Sequence, residues 1–177
     1  MVRGRRNPLY LGFPARLRKA RRERKLSCRR LAEMAGLSGP LIRGIEVGGV
    51  VAGTDTAERI AEALQISPSA LVYGIEAPYV PVSKGEVPAS LLEAIGLQAS
   101  DLAGEYLRAQ SISIRLMLAR EARGLSARKL AAAAGLSHTA LGHIERGRRI
   151  PSVATAEQLA KALQMSPAWL AYDEGDM

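Results

Sequence analysis

The chain has 177 residues, of which 47% are hydrophobic and only 4% aromatic, and a formal charge of +8 at pH 7 with a pI near 10.1. Its apolar residues are mainly Ala, Leu, Ile and Val, which suits one or two small helical units better than a β-sandwich, and the surplus of cations points to a polyanionic partner. Cys28 is the only cysteine, which excludes an intrachain disulfide and argues against structural zinc; no apolar run reaches the roughly 18 residues of a membrane helix.

The charge is unevenly placed. Residues 1–50 hold 13 Lys/Arg against 3 Asp/Glu, residues 51–110 hold 3 against 8, and residues 111–177 hold 9 against 6. Basic ends around an acidic middle argue against a uniformly sticky protein. Residues 1–13 form a basic leader with Gly and Pro, expected to be a flexible arm; Arg3, Arg5 and Arg6 could enter a groove. No signal-like apolar stretch follows it, so a cytoplasmic location, at the nucleoid, is expected.

A shift of 99 residues superimposes Arg16–Tyr73 on Arg115–Tyr172 without a gap, with close to half the positions identical. Ala35-Gly36-Leu37-Ser38 meets Ala134-Gly135-Leu136-Ser137, Thr56-Ala57-Glu58 meets Thr155-Ala156-Glu157, and Ser67-Pro68 meets Ser166-Pro167. The period is too long for a solenoid, so the chain contains a duplicated domain. Residues 14–76 are expected to form domain 1 and residues 111–177 domain 2.

Each repeat is predicted to hold five short helices. The first covers about Ala15–Lys25 or Ile114–Arg123. Ser27 and Ser126 cap the second, which ends at Gly36 or Gly135. Ser38 and Ser137 cap the third. The fourth carries the apolar stripe of Ile60, Ala61, Ala63 and Leu64, or of Leu159, Ala160, Ala162 and Leu163. The fifth opens with Pro68 or Pro167 at the first helical position, where a missing N–H costs nothing. Between the repeats, residues 77–110 read as an acidic, partly helical spacer: Pro78, Pro81 and Pro88 prevent one continuous helix, whereas Leu91–Ile95 and Leu102–Leu107 have helical apolar spacing.

The most informative stretch is Ala134–Pro151. Gly135 can close one helix in the left-handed conformation and Ser137 can open the next. Leu141 and Ile144 share an inward face, which turns Thr139, Gly142 and His143 outward. Arg146, Arg148 and Arg149 follow at once, in a loop stiffened by Pro151. A short exposed helix beside clustered arginines suits a protein that reads a groove while holding phosphates. The two histidines are five residues apart, a poor spacing for a shared metal, and no paired carboxylates, nucleophilic arrangement or phosphate-cradling glycine loop points to catalysis. Neither an enzyme nor a metal or cofactor is expected.

The pattern Leu-Ala-x-x-Ala-Gly-Leu-Ser-x-x-x-Leu-x-x-Ile-Glu-x-Gly-x-x-x-Pro in the second repeat resembles the lambda-repressor-like (phage repressor/Cro, Xre-type) helix-turn-helix family, and the resemblance extends over both repeats, about two-thirds of the chain. It implies an all-α fold of two tandem five-helix domains, each with its third helix suited to the major groove. Matched position by position, it implies that His138, Thr139 and His143 read bases, with Ala127 nearby, and that Ser126, Arg146, Arg148 and Arg149 hold phosphates, which fix register without specifying sequence. It also implies structural ion pairs, Arg21 with Glu46 and Arg120 with Glu145, that brace the third helix against the first.

Repeat 1 departs from the pattern at its reading surface. Gly39, Pro40 and Gly44 offer almost no side chain, and Val47–Gly53 lacks the arginines and the proline. Arg18, Arg22, Arg29 and Arg30 instead form an auxiliary basic surface for phosphates or an acidic partner. Trp169, Leu170 and Tyr172, like Leu71 and Tyr73, either fill the core or form the dimer contact common in the family; two tandem domains could also engage two half-sites without dimerising. The expected function is a sequence-specific DNA-binding transcriptional regulator, a repressor, whose partner is double-stranded DNA. A homodimer and a protein bound through domain 1 or the spacer are further candidate contacts. The rival readings are an antitoxin-like interaction module with secondary DNA binding and a weakly specific architectural DNA binder.

Overall fold

The computed structural model describes residues 8–79 and 104–174, the latter with side chains from Ile112 onward. The arginines of the N-terminal arm and most of the predicted spacer lie outside the described residues. Ten α-helices appear among those described: α1 Phe13–Glu23, α2 Cys28–Ala35, α3 Gly39–Glu46, α4 Thr54–Leu64, α5 Pro68–Tyr73, α6 Gly104–Ala122, α7 Ala127–Ala133, α8 His138–Glu145, α9 Val153–Ala162 and α10 Pro167–Tyr172. No strand is among them, and none of these helices is long and apolar enough to cross a membrane.

Local chemistry sets the helix ends. The hydroxyls of Ser27, Ser38, Ser126 and Ser137 accept hydrogen bonds from the backbone N–H of Arg30, Leu41, Lys129 and Ala140, so each removes one orphan donor from a first turn. Gly36 and Gly135 turn the chain between the second and third helices with φ of 62° and 68°, a region that costs a side chain but not glycine.

Two expectations change at the helix starts. The leader does not stay irregular to residue 13: Leu9–Gly12 form a 3-10 turn, and Phe13 is buried at the start of α1. The free amides of that turn supply the reason, because Leu9 and Tyr10 donate to the carboxylate of Glu157 at 2.7 and 3.0 Å. The first helix of repeat 2 begins at Gly104 rather than near Ile114, so it extends back into the predicted spacer.

The chain divides into two compact units that do not coincide with the two repeats. One contains the described residues 8–79 and 151–174, and the other contains residues 104–150. In the first, α1–α5 surround fully buried Leu17, Leu31, Ile42, Ile45, Ile60 and Leu64. Arg16 ties α1 to the end of α5 by donating to the carbonyls of Leu71, at 2.8 Å, and Val72, and burial lowers the pKa of its guanidinium. The same unit includes α9 and α10, with α9 against α4 and the 3-10 turn and α10 against α5. In the second unit, α8 packs on α6 and α7, and Leu116, Leu130, Leu141 and Ile144 are buried.

Candidate nucleic-acid interface

The second unit presents α8 as a shaped edge. Leu141 and Ile144 are 0% and 2% exposed, and they fix the helix rotation so that His138, Thr139 and His143 are exposed. Two polar contacts hold the back of the helix. Arg120 of α6 donates through Nε to Glu145 Oε1 at 2.6 Å and through a terminal nitrogen to the Leu125 carbonyl at 3.0 Å. The buried Ser113 hydroxyl donates to the Ile144 carbonyl at 2.6 Å. The Arg120–Glu145 side chains are only 15% and 13% exposed, so losing either partner would leave a poorly hydrated charge.

After α8 the chain reverses at Gly147, φ 66°. The amides of Arg148 and Arg149 both reach back to the His143 carbonyl, at 2.8 and 3.2 Å. This ties the cationic turn to the residue on the outward face of α8, and Arg146, Arg148 and Arg149 are all exposed. Gly142 contributes by being small. A Cβ there would lie 3.1 Å from a terminal nitrogen of Arg146, so the guanidinium occupies the open space beside the helix. Ser126 is exposed while capping α7, which leaves its hydroxyl at the edge of a helix N-terminus, where anions are favoured.

Repeat 1 builds the same turn with other side chains. Gly49 and Val50 donate to the Gly44 carbonyl at 3.0 and 3.1 Å, the counterparts of the two bonds to His143. Gly48 has φ 77° in place of Gly147. The exposed residues here are valines: Val47 is 67% accessible, Val50 41% and Val51 51%. Two of the predicted blank positions differ physically. A Cβ on Gly39 would make only ordinary contact, at 3.6 Å from the Arg29 Cα. A Cβ on Gly44 would lie 2.9 Å from a Val50 methyl, a β-branched side chain with little freedom to move aside.

The basic surface of repeat 1 is partly neutralised. Arg21 makes a two-pronged contact with Glu46, at 2.6 and 2.9 Å, and the hydrogen bond to Glu46 raises the guanidinium pKa against a desolvation that lowers it. Arg18 donates to the Glu46 carbonyl at 2.7 Å and lies 3.7 Å from its carboxylate. Arg29 and Arg30 both approach Glu33, at 3.5 and 3.2 Å. Arg22 is exposed. Repeat 1 also exposes Arg43 on α3, a cation not singled out from the sequence, and in repeat 2 the same holds for Arg128 and Lys129 on α7. The 99-residue shift sets Arg43 opposite Gly142. That register was the available signal.

Among the described residues no group of three or more His, Cys, Asp or Glu could hold a metal. Comparison with protein families gives two matches: residues 15–76 to a helix-turn-helix domain family and residues 116–170 to a helix-turn-helix family. Comparisons with curated proteins and with solved structures give no match. Two tandem helix-turn-helix domains, the second of the lambda-repressor-like, Xre type, therefore make up most of the chain, which belongs with the DNA-binding regulators of that type.

Proposed function

We propose that the protein is a sequence-specific transcriptional repressor that reads the major groove with α8. His138, Thr139 and His143 contact base edges: imidazole nitrogens serve as donor or acceptor, and threonine offers a hydroxyl and a methyl for thymine. Ser126, Arg146, Arg148 and Arg149 hold the flanking phosphates and set the register. Arg120 and Glu145 contribute by keeping α8 in place. Arg18, Arg22, Arg29 and Arg30 of repeat 1 add phosphate attraction without sequence preference, and the protein acts in the cytoplasm at the nucleoid. The observation that carries this reading is the exposed face of α8 with an exposed cationic turn bonded to the His143 carbonyl.

Selection from fragmented genomic DNA at near-physiological salt tests it. One enriched motif that is lost on combining His143→Ala with Thr139→Ala is the expected result. Binding without any enriched motif would overturn it in favour of an architectural binder with a steep salt dependence.

A second reading, an antitoxin-like module that binds a protein partner, draws on one observation: repeat 1 exposes Val47, Val50 and Val51 where repeat 2 has a cationic turn. Exposed apolar clusters of this kind mark interaction surfaces. A protein that co-purifies stoichiometrically and is released by Val47→Asp with Val51→Asp would establish it.

A further inference from the structure

The unit formed by residues 8–79 and 151–174 contains a contact between the chain and its own duplicate. Thr54 N–H donates to the Pro151 carbonyl at 3.1 Å, and Val153 N–H donates to the Ala52 carbonyl at 3.0 Å. Gly53 and Ser152 form the antiparallel bridge between them. The 99-residue shift carries Ala52 to Pro151, Gly53 to Ser152 and Thr54 to Val153, so each hydrogen bond is the other with its partners exchanged. That reciprocity defines an isologous, two-fold contact, the form ordinarily made by two copies of one chain. The fifth helices obey the same rule. Tyr73 and Tyr172 are equivalent under the shift, and their rings pair with centroids 6.0 Å apart. Around them Leu71, Val72, Leu170 and Ala171 are buried.

The departures from symmetry are equally informative. The Tyr73 hydroxyl donates to the Val153 carbonyl at 3.1 Å, whereas the Tyr172 hydroxyl is buried without a hydrogen-bond partner among the described residues. The Glu174 carboxylate accepts from the Ser67 hydroxyl at 2.7 Å and from the Ser69 amide at 2.8 Å, at the start of α5. Its counterpart at position 75 is Ile75, which can accept nothing through its side chain. The two surfaces are therefore related by the repeat without being identical, and each contributes a contact that the other lacks.

We infer that the paired fifth helices and the 52–54/151–153 bridge replace a homodimer interface, so that the protein works as a monomer on an asymmetric DNA target instead of a palindrome. Tethering favours this closure, because the second surface is always present at the high effective concentration set by the connecting chain. The part of this inference that concerns DNA rests on the function proposed above; the monomeric state does not.

Sedimentation equilibrium of the full-length protein, free and with selected DNA, tests both parts. The expected results are a free mass of 18.9 kDa at every concentration, one chain per DNA site, and an asymmetric selected motif. A free mass of twice that value, two chains per site, or a palindromic motif would overturn the inference. A second measurement guards against exchange of the C-terminal helices between chains. With Cys28→Ser as background, Gly53→Cys with Ser152→Cys should oxidise to a cross-link that leaves the denatured chain at monomer mass. Cross-linked dimers would overturn the inference. A monomer with an intrachain cross-link but no selected DNA motif would refute the proposed function and leave this pairing in place.

Discussion

The helix-turn-helix elements of the two repeats share nearly every backbone device and differ in the outward side chains of the third helix and of the turn after it. Both are opened by serine caps, turned by a glycine of positive φ, closed by two amides bonded to one carbonyl of the third helix, and braced by an arginine of the first helix on a glutamate at the end of the third. Outward, His138, Thr139 and His143 stand opposite Gly39, Pro40 and Gly44, and Arg146, Arg148 and Arg149 opposite Val47, Gly49 and Val50. The scaffold and the surface it displays are thus separable: the fold depends on the caps, turns and inward residues, while the outward positions are free to gain or lose a reading role.

The largest expected contrast lies in the braces. Glu46 is more buried than Glu145, with 6% against 13% of its side chain accessible, and Arg21 grips it with two nitrogens. Arg21→Ala should cost about 3 kcal/mol because it leaves a buried charge poorly compensated, and Arg120→Ala should cost less. Denaturant midpoints of the two variants measure the difference, and equal losses would show that burial does not set the scale.

The blank positions of repeat 1 provide the next contrast. Gly44→Ala places a methyl 2.9 Å from Val50 and should destabilise by about 1–3 kcal/mol through overpacking, with much of the loss recovered by Val50→Ala. Gly39→Ala, which meets only ordinary contacts, should be neutral or stabilising by up to about 1 kcal/mol. Thermal melts of the three variants decide whether these two positions differ as described.

The tyrosines test the comparison at the other end of the repeat. Tyr172→Phe removes a buried hydroxyl without a partner and should stabilise slightly or leave stability unchanged, whereas Tyr73→Phe removes the donor of a buried hydrogen bond to the Val153 carbonyl and should cost about 1 kcal/mol. Burial raises the pKa of both phenols above the ordinary value of 10.0. The neutral form is therefore favoured in the folded state: this contribution is fully present below about pH 10 and is lost as pH rises beyond it. Stability measured from pH 8 to 11 should fall in the parent chain and fall less steeply in the double Phe variant.

The smallest effect concerns the turns. Arg148→Ala and Arg149→Ala should each lower the slope of log affinity against log salt by about 1, with little change in the selected motif. Val50→Ala in repeat 1 should leave that slope unchanged. A shifted motif in either arginine variant would assign that residue to base reading instead.

Much of this architecture was legible because its signals are local or repeated. A serine followed by a 3.6-residue apolar pattern fixes a helix start, as at Ser137, and Gly135 marks the turn before it. The 99-residue register aligned both ion pairs, Arg21 with Glu46 and Arg120 with Glu145. The sequence did not reveal which helices share a compact unit. That α9 and α10 lie with α1–α5 depends on backbone bonds such as Val153 N–H to the Ala52 carbonyl, which have no residue code. The 3-10 turn at Leu9–Gly12 was missed for a similar reason, since its anchor, Glu157, lies 148 positions from Leu9. Gly44 and Gly39 look alike in sequence, and only the Val50 methyl separates them.

The matched turns with unlike side chains also bear on how such a protein can change. When a turn is supplied twice by two copies of the same chain, any substitution alters both at once. Here Gly44 and His143 are specified by separate codons on the same backbone arrangement. One turn can therefore acquire or discard a side chain while the other stays as it is.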